Sequence, residues 1–447
     1  MMAIRLTGLC CALSVLCVAY AQDASTVSGE DAVSTQPTSP TEGLGESETT
    51  EQSSQGPDAE DTITSQPPPI EESLPEESPI VQTGDEFEEE MDGRYPRRIT
   101  TGAAILNMEV EFVWHCWLGM EGLYKRDYAA SKRAFNHVDQ RWRGSGVGPV
   151  GQMLAWQALM LENFDLRYSD QYELTFKRAR QGLEQALVMP GNEVWETFLL
   201  GAVLGVDAIH SLRKGELITA INRGLEAMKY VNRASELAPD FVDAQLGDGL
   251  WFYWRSVIAL NTPGIPAFSD QRAKGITLMQ YAQTHAVFLQ PAAYHALTYT
   301  WIEEGRMNRA LAASSLLARQ YPNQIINLMV LGRVQMYKRM LDEAEATYLS
   351  VLDIDPGNMR VHYYLQRLYI RKRALSKSIE HADTYLSFDD ISATHRGYSL
   401  YYKGTVFHQL QDLPAAEKVY AEAWEVSRLE RAKDKLEEIE AQRNDSQ

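Results

Sequence analysis

IINLMVLGRVQMYKRMLDEAEATYLSVLDIDPGN, residues 325–358, is the stretch whose reading decides the fold. Within it Leu328, Leu331, Gly332, Ala344, Tyr348 and Pro356 space out a large residue, Leu, Gly, Ala, an aromatic and Pro. Small residues are needed where two helices of one hairpin cross closely, and Gly332 and Ala344 supply them. Pro356 stands just past the second helix, where a missing N–H and a fixed φ cannot continue it. Stretches beginning at Pro291 and Met359 follow the same 34-residue period, and a fourth at Gly397 repeats it after a four-residue insertion. The unit before has Tyr294, Leu297, Trp301, Gly305, Ala310 and Pro322 in register; the last has Leu400, Gly404, Phe407, Ala416, Tyr420 and Ala423. The unit from Met359 keeps Leu365 and Tyr369 but carries Gln366 and Ser378 at the small positions. Such a period means stacked helical hairpins, each burying its apolar face against its neighbours.

Over residues 291–430 this layout resembles tetratricopeptide repeat proteins. Upstream the pattern stretches without stopping: Leu118-Gly119, Tyr128 and Phe135 fit one hairpin, Ala227, Ala234 and Pro239 close another, and Leu246-Gly247 open the next. Residues 195–213 and 216–237 read as helices of about twenty residues, longer than the usual ~11–12. The expectation is sixteen helices in eight hairpins between Ala103 and Gln442, with no strand pattern of period two. That is an all-α, right-handed superhelical solenoid without a β-sheet, closed by a long charged capping helix over residues 419–443. DAQLGDGLW at 243–251 and IPAFSDQRAKG at 265–275 look like the eukaryotic tetratricopeptide repeat protein 39 and inclusion-body-clearance relatives, a likeness that implies no function.

Composition divides the chain into three. Residues 1–21 carry one charge, Arg5, an apolar run and Ala19-Tyr20-Ala21, which reads as a cleaved secretory signal too short to span a membrane. Residues 22–93 hold twenty Asp or Glu and no Lys or Arg amid Ser, Thr, Pro and Gly, so they are expected to be disordered. The remaining 94–447 carry 41 basic and 41 acidic residues, so the net charge of −19 belongs to the tail. A neutral body behind an acidic tail argues against nucleic-acid binding. No other stretch is apolar enough to cross a membrane, and the expected location is periplasmic or extracellular. After signal removal only Cys116 remains, so no intramolecular disulfide can form. A small buried residue is the expectation for it, against a reactive or dimer-forming thiol.

Nothing in the chain points to catalysis. Gly146-Val-Gly148-Pro-Val-Gly151 matches a dinucleotide-binding string, yet that chemistry needs a strand before it, and a helix ending near Trp142 precedes it instead. It reads as an inter-hairpin loop, with Pro149 opening the next helix. Paired carboxylates such as Glu303-Glu304 and Asp342-Glu343 lie near helix turns, and no His or Cys grouping has metal-ligand spacing. No enzyme, cofactor or metal is expected.

The resemblance implies where a partner would bind. In such superhelices the first helix of each unit lines the concave face, and those positions here give Arg333 and Tyr337, then Arg360, Tyr363, Arg367 and Arg371, then Tyr398 and Tyr401. The stripe contains no acid. Arg gives planar, bidentate recognition of carboxylates and Tyr gives contact area with a polar tip. Arg333, Arg367, Thr405 and Tyr299 stand where the carboxylate clamp of chaperone-binding members has Asn, so an extended acidic or aromatic segment fits better than a chaperone C-terminus. One candidate lies on the same chain, DEFEEEMD at 85–92, which tethering would hold at about millimolar effective concentration. The alternative reading is a carbohydrate- or peptidoglycan-binding adaptor using Trp251, Tyr253 and Trp254, which requires an exposed Trp254 ring.

Overall fold

The computed structural model describes residues 91–189, 191–261 and 269–445. The signal (1–21), residues 22–90 of the acidic tail and the Pro-rich loop at 263–268 lie outside the described residues. The described chain starts with a short antiparallel ladder, β1 (Met91–Asp92) on β2 (Tyr95–Pro96), where no strand was expected. A lead-in helix follows, α1 (Arg97–Leu106).

Eight antiparallel hairpins come next. They are α2 (Val110–Tyr124) with α3 (Tyr128–Arg141), α4 (Val147–Asn163) with α5 (Ser169–Ala186), and α6 (Glu193–Arg213) with α7 (Leu217–Leu237). Then come α8 (Val242–Asn261) with α9 (Arg272–His285), α10 (Gln290–Glu303) with α11 (Met307–Gln320), and α12 (Ile325–Tyr337) with α13 (Leu341–Ile354). The last two are α14 (Met359–Arg371) with α15 (Leu375–Leu386), and α16 (Ala393–Gln409) with α17 (Leu413–Ser427). Each helix packs on its chain neighbours, giving an all-α solenoid of the tetratricopeptide type. The expected capping helix over 419–443 is broken. Arg428 adopts a left-handed conformation (φ 53°) that ends α17, and a separate polar helix, α18 (Glu430–Asp445), covers the end.

Local chemistry explains the regularity. Asp127, Asn192, Asn358, Ser392 and Asp412 each accept a hydrogen bond from a backbone N–H of the first turn that follows, satisfying a donor the helix leaves free. The turn inside the hairpins holds a left-handed residue at 305, 339, 373 and 411. The next residue donates back to the last turn of the first helix, as from Met340 N to Gln335 O (2.9 Å) and Ala374 N to Tyr369 O (2.9 Å). The four-residue insertion becomes one more helical turn. α16 begins at Ala393, 34 residues after Met359, and runs 17 residues where α14 runs 13.

The small positions behave as close crossings. A Cβ placed on Gly332 would lie 2.4 Å from the Tyr348 ring, so only glycine lets α12 and α13 meet there. In the degenerate unit the sizes are exchanged. Gln366 stands in the register of Gly332, while Ala382 replaces the aromatic. The buried Gln366 amide is satisfied by Ser399 O (2.8 Å) and the Ser399 hydroxyl (2.8 Å), and Ser378 donates to the Gln366 carbonyl (3.0 Å).

Candidate functional site

The Arg/Tyr stripe lies on α12, α14 and α16 as the repeat positions require, but it is mostly enclosed. Arg333, Arg360, Tyr363, Arg367 and Tyr401 are buried; Tyr337, Arg371 and Tyr398 are half-buried. Two layers of aromatic-flanked guanidinium result. Arg333 lies 5.9 Å from the Tyr299 ring and 5.4 Å from that of Tyr337, to whose hydroxyl its Nε donates (2.8 Å). Arg367 lies 5.8 Å from Tyr363 and 5.3 Å from Tyr402. Burial and the surrounding tyrosines push the Tyr363 hydroxyl well above the ordinary phenol range. Arg371 is set at the rim, donating to Met336 O (3.1 Å) at the end of α12. Tyr401 turns toward α17, with its ring 5.7 Å from Tyr420.

At Arg360 the burial comes from the chain's own α4. Arg360 was read as groove-facing; instead its guanidinium sits 3.6 Å from the Phe164 ring and donates to Leu161 O (3.1 Å). Asn358 donates to Glu162 O (3.1 Å), and Met359 N donates to Asn163 Oδ1 (3.0 Å). His395 stacks on Phe164 at 5.5 Å. The physical reason is that carbonyls at the C-terminal end of a helix have acceptor capacity to spare, and a cation is favourable beside them. Arg360 takes Leu161 O, while Arg213 takes Met160 O (3.1 Å) and the carbonyl of Asp165. Glu162, also buried, accepts from Arg126 Nε (2.9 Å) and the Tyr128 hydroxyl (2.6 Å). Its carboxyl is raised by burial, and these two partners pull it back.

A second seam joins the same parts higher up. Gln324 Nε2 donates to Leu123 O (2.9 Å), and the Tyr321 hydroxyl to Glu121 (3.0 Å). The Tyr124 hydroxyl donates to Phe288 O (3.2 Å). These contacts bring the first two hairpins against the turns before α10 and α12 and the start of α14. Sequence spacing gave no hint of this, because the partners are about 200 residues apart.

Other expected features resolve plainly. Trp254 and Tyr253 are buried and Trp251 half-buried, so α8 offers no exposed stacking platform at Trp254 and the sugar-binding reading loses its ring. Cys116 is buried, and burial pushes its thiol up, away from thiolate. In the glycine string, Gly146 (φ 71°) precedes α4 while Gly148, Pro149 and Gly151 lie within its first turns. Gly151 permits contact with Phe135, whose ring a Cβ would meet at 2.1 Å. Among the described residues no three His, Cys, Asp or Glu group to hold a metal, and no helix is long and apolar enough to cross a membrane.

No protein-family model matches this chain, and no curated protein matches it in sequence. Among solved structures, the chain is similar to a human IFIT1 dimer with PPP-AAAA, at 13% identity and TM-score 0.44, over 80% of this chain and 87% of that one. It is also similar to Cut9–Hcn1, the APC/C hetero-tetramer, at 11% identity and TM-score 0.39, over 75% and 70% of the two chains. A third is Naa15/Naa10 bound to HypK-THB, at 13% identity and TM-score 0.31, over 73% and 61%.

Proposed function

We propose that this protein is an exported, non-catalytic interaction scaffold that binds an acidic or aromatic segment of a protein partner at the rim of α12, α14 and α16. The observation that carries the reading is the rim itself. Tyr337, Arg371 and Tyr398 are the members of the stripe that reach solvent, and the first two are already held, Tyr337 by Arg333 and Arg371 by Met336 O. Side chains fixed before binding lose less entropy on binding. Arg333 and Arg367 then serve as buried charge behind the rim, and Arg360 as a clamp on the fold. Export rests on the signal-like residues 1–21, and the acidic segment 85–92 of the same sequence has suitable chemistry.

The test is retention of an envelope protein by the full chain, compared with Tyr337→Ala/Arg371→Ala/Tyr398→Ala. The expected result is loss of that protein from the triple variant at equal thermal stability, with retention by the unchanged chain weakening as salt rises. Equal retention by both chains removes the rim as the binding site.

A further inference from the structure

The closure of the superhelix leaves a cavity of about 170 Å³ between the first hairpins and later ones. Its walls come from α2, α4 and α6 on one side (Met120, Leu154, Trp195, Phe198) and from α10, α12 and the turn at Phe288 on the other. Among the described residues no Asp, Glu, Lys or Arg lines it. The polar groups that do reach it are nearly all spent on one another or on backbone. His295 Nε2 and Asn327 Oδ1 share a hydrogen bond, with burial holding the imidazole neutral down to about pH 4. Asn327 Nδ2 bonds Leu317 O (3.4 Å), and Gln324 bonds Leu123 O (2.9 Å).

Gln157 and Trp195 are the exceptions. Gln157 sits on α4 in the cavity wall, is 1% exposed, and neither its Nε2 nor its Oε1 has a partner among the described residues; the Trp195 indole N–H on α6 has none there either. A primary amide can donate two hydrogen bonds and accept two, and buried polar groups in folded proteins are almost always paired. A mostly apolar wall whose unsatisfied groups are one amide and one indole N–H is the pattern of a pocket that holds an apolar molecule by its body and orients it by a few polar groups.

We infer that this internal cavity is a binding site for a small neutral ligand, a single ring or a body of similar size, bearing one hydroxyl or carbonyl that pairs with Gln157. Size follows from volume, since an apolar cavity of about 150 Å³ accepts benzene. Neutrality follows from the walls, because an ionised group would be desolvated there with no counter-charge. The aromatic side chains Trp195, Phe198 and Phe288 on the walls suit edge and face contacts with a ring. The site lies inside the superhelix and is separate from the rim assigned to the protein partner.

The experiment uses the full chain and three probes of one shape, 4-methylphenol, toluene and 4-methylbenzoate, followed by calorimetric titration and by thermal shift. The expected result is saturable binding of 4-methylphenol about tenfold tighter than toluene, the worth of one net hydrogen bond, and none by 4-methylbenzoate. Gln157→Leu removes the preference while toluene still binds. Ala202→Trp, placed to fill the cavity from α6, abolishes both. Leu154→Ala, which enlarges the space, is the companion variant should the Trp chain fail to fold, and it must tighten binding of a larger ring such as 4-propylphenol. Absence of saturable binding by 4-methylphenol and toluene, equal affinity of the two in the unchanged chain, or a preference untouched by Gln157→Leu overturns the inference. A hydrated cavity serving only as packing gives the first of these results.

Discussion

Removing the Arg360 side chain should open the seam that closes this superhelix. Arg360 is 2% exposed and holds α14 to α4 in two ways. Its Nη1 donates to Leu161 O at 3.1 Å, a bond from a charged donor worth about 1.5–3 kcal/mol. Its guanidinium lies 3.6 Å from the centre of the Phe164 ring, a desolvated cation–π contact worth about 2 kcal/mol. Arg360→Ala also strands the Leu161 carbonyl at the C-terminal end of α4, so about 3–5 kcal/mol of seam stability is expected to go. At 1.4 kcal/mol per factor of ten, local opening becomes about 10² to 4 × 10³ times more populated. Amide hydrogen exchange at 160–165 and 358–361 should accelerate by that factor, while the core of α8–α11 changes far less. Arg360→Lys keeps the charge but lacks the planar fork, and should fall between the two. Exchange at the seam within about threefold of the unchanged chain, measured with the variant folded, would refute the claim that Arg360 clamps the closed form.

Other consequences follow from buried polar groups and close crossings. Asp243 is wholly buried and its carboxylate accepts from Val287, Phe288 and Leu289 N–H at 2.8, 2.8 and 2.9 Å. Asp243→Asn sets an amide N–H against one of these donors and should lower unfolding stability by about 2–4 kcal/mol in urea titration; a change under ~0.5 kcal/mol would count against this account. His295, lowered to about 4 by burial, takes up its proton later in the fold than in the unfolded chain. The unfolded state thus binds more protons between about pH 6.5 and 4, so stability falls on acidification through that window and is unaffected above it. His295→Gln should flatten the curve there by about 3 kcal/mol, and parallel curves for the two chains would contradict the assignment. Gly332→Ala brings a methyl to 2.4 Å from Tyr348 and should cost about 1–3 kcal/mol, with Tyr348→Leu recovering part of it in a double-mutant cycle. Strict additivity of the two changes would show that the crossing is not tight.

The hairpins were legible because their determinants are local. Gly332 against Tyr348, Pro356 after α13 and the caps at Asn358 and Asp412 act within one unit, so a 34-residue period carries them directly. The same locality explains the faults. The expected helix over 419–443 ran apolar and charged residues without a break, and only the left-handed Arg428 divides it. At a residue other than Gly or Asn, sequence gives no sign of that conformation. Position within the unit assigned Arg360 and Tyr363 to a first helix, here α14, yet said nothing of whether that face is open.

The sequence by itself determined a stack of eight hairpins, the registers at which their helices cross, and a neutral body joined to an acidic tail. Each of these depends on residues close in the chain or on composition alone. Tertiary structure decided that the stack curls until α4 meets α14, burying Arg360 beneath Phe164 and enclosing the cavity around Gln157. Curvature is the sum of small rotations at every hairpin interface, and the 21-residue helices α6 and α7 in the middle alter that sum. A quantity accumulated over eight interfaces is written at no single position, which is why it had to be seen in the folded chain.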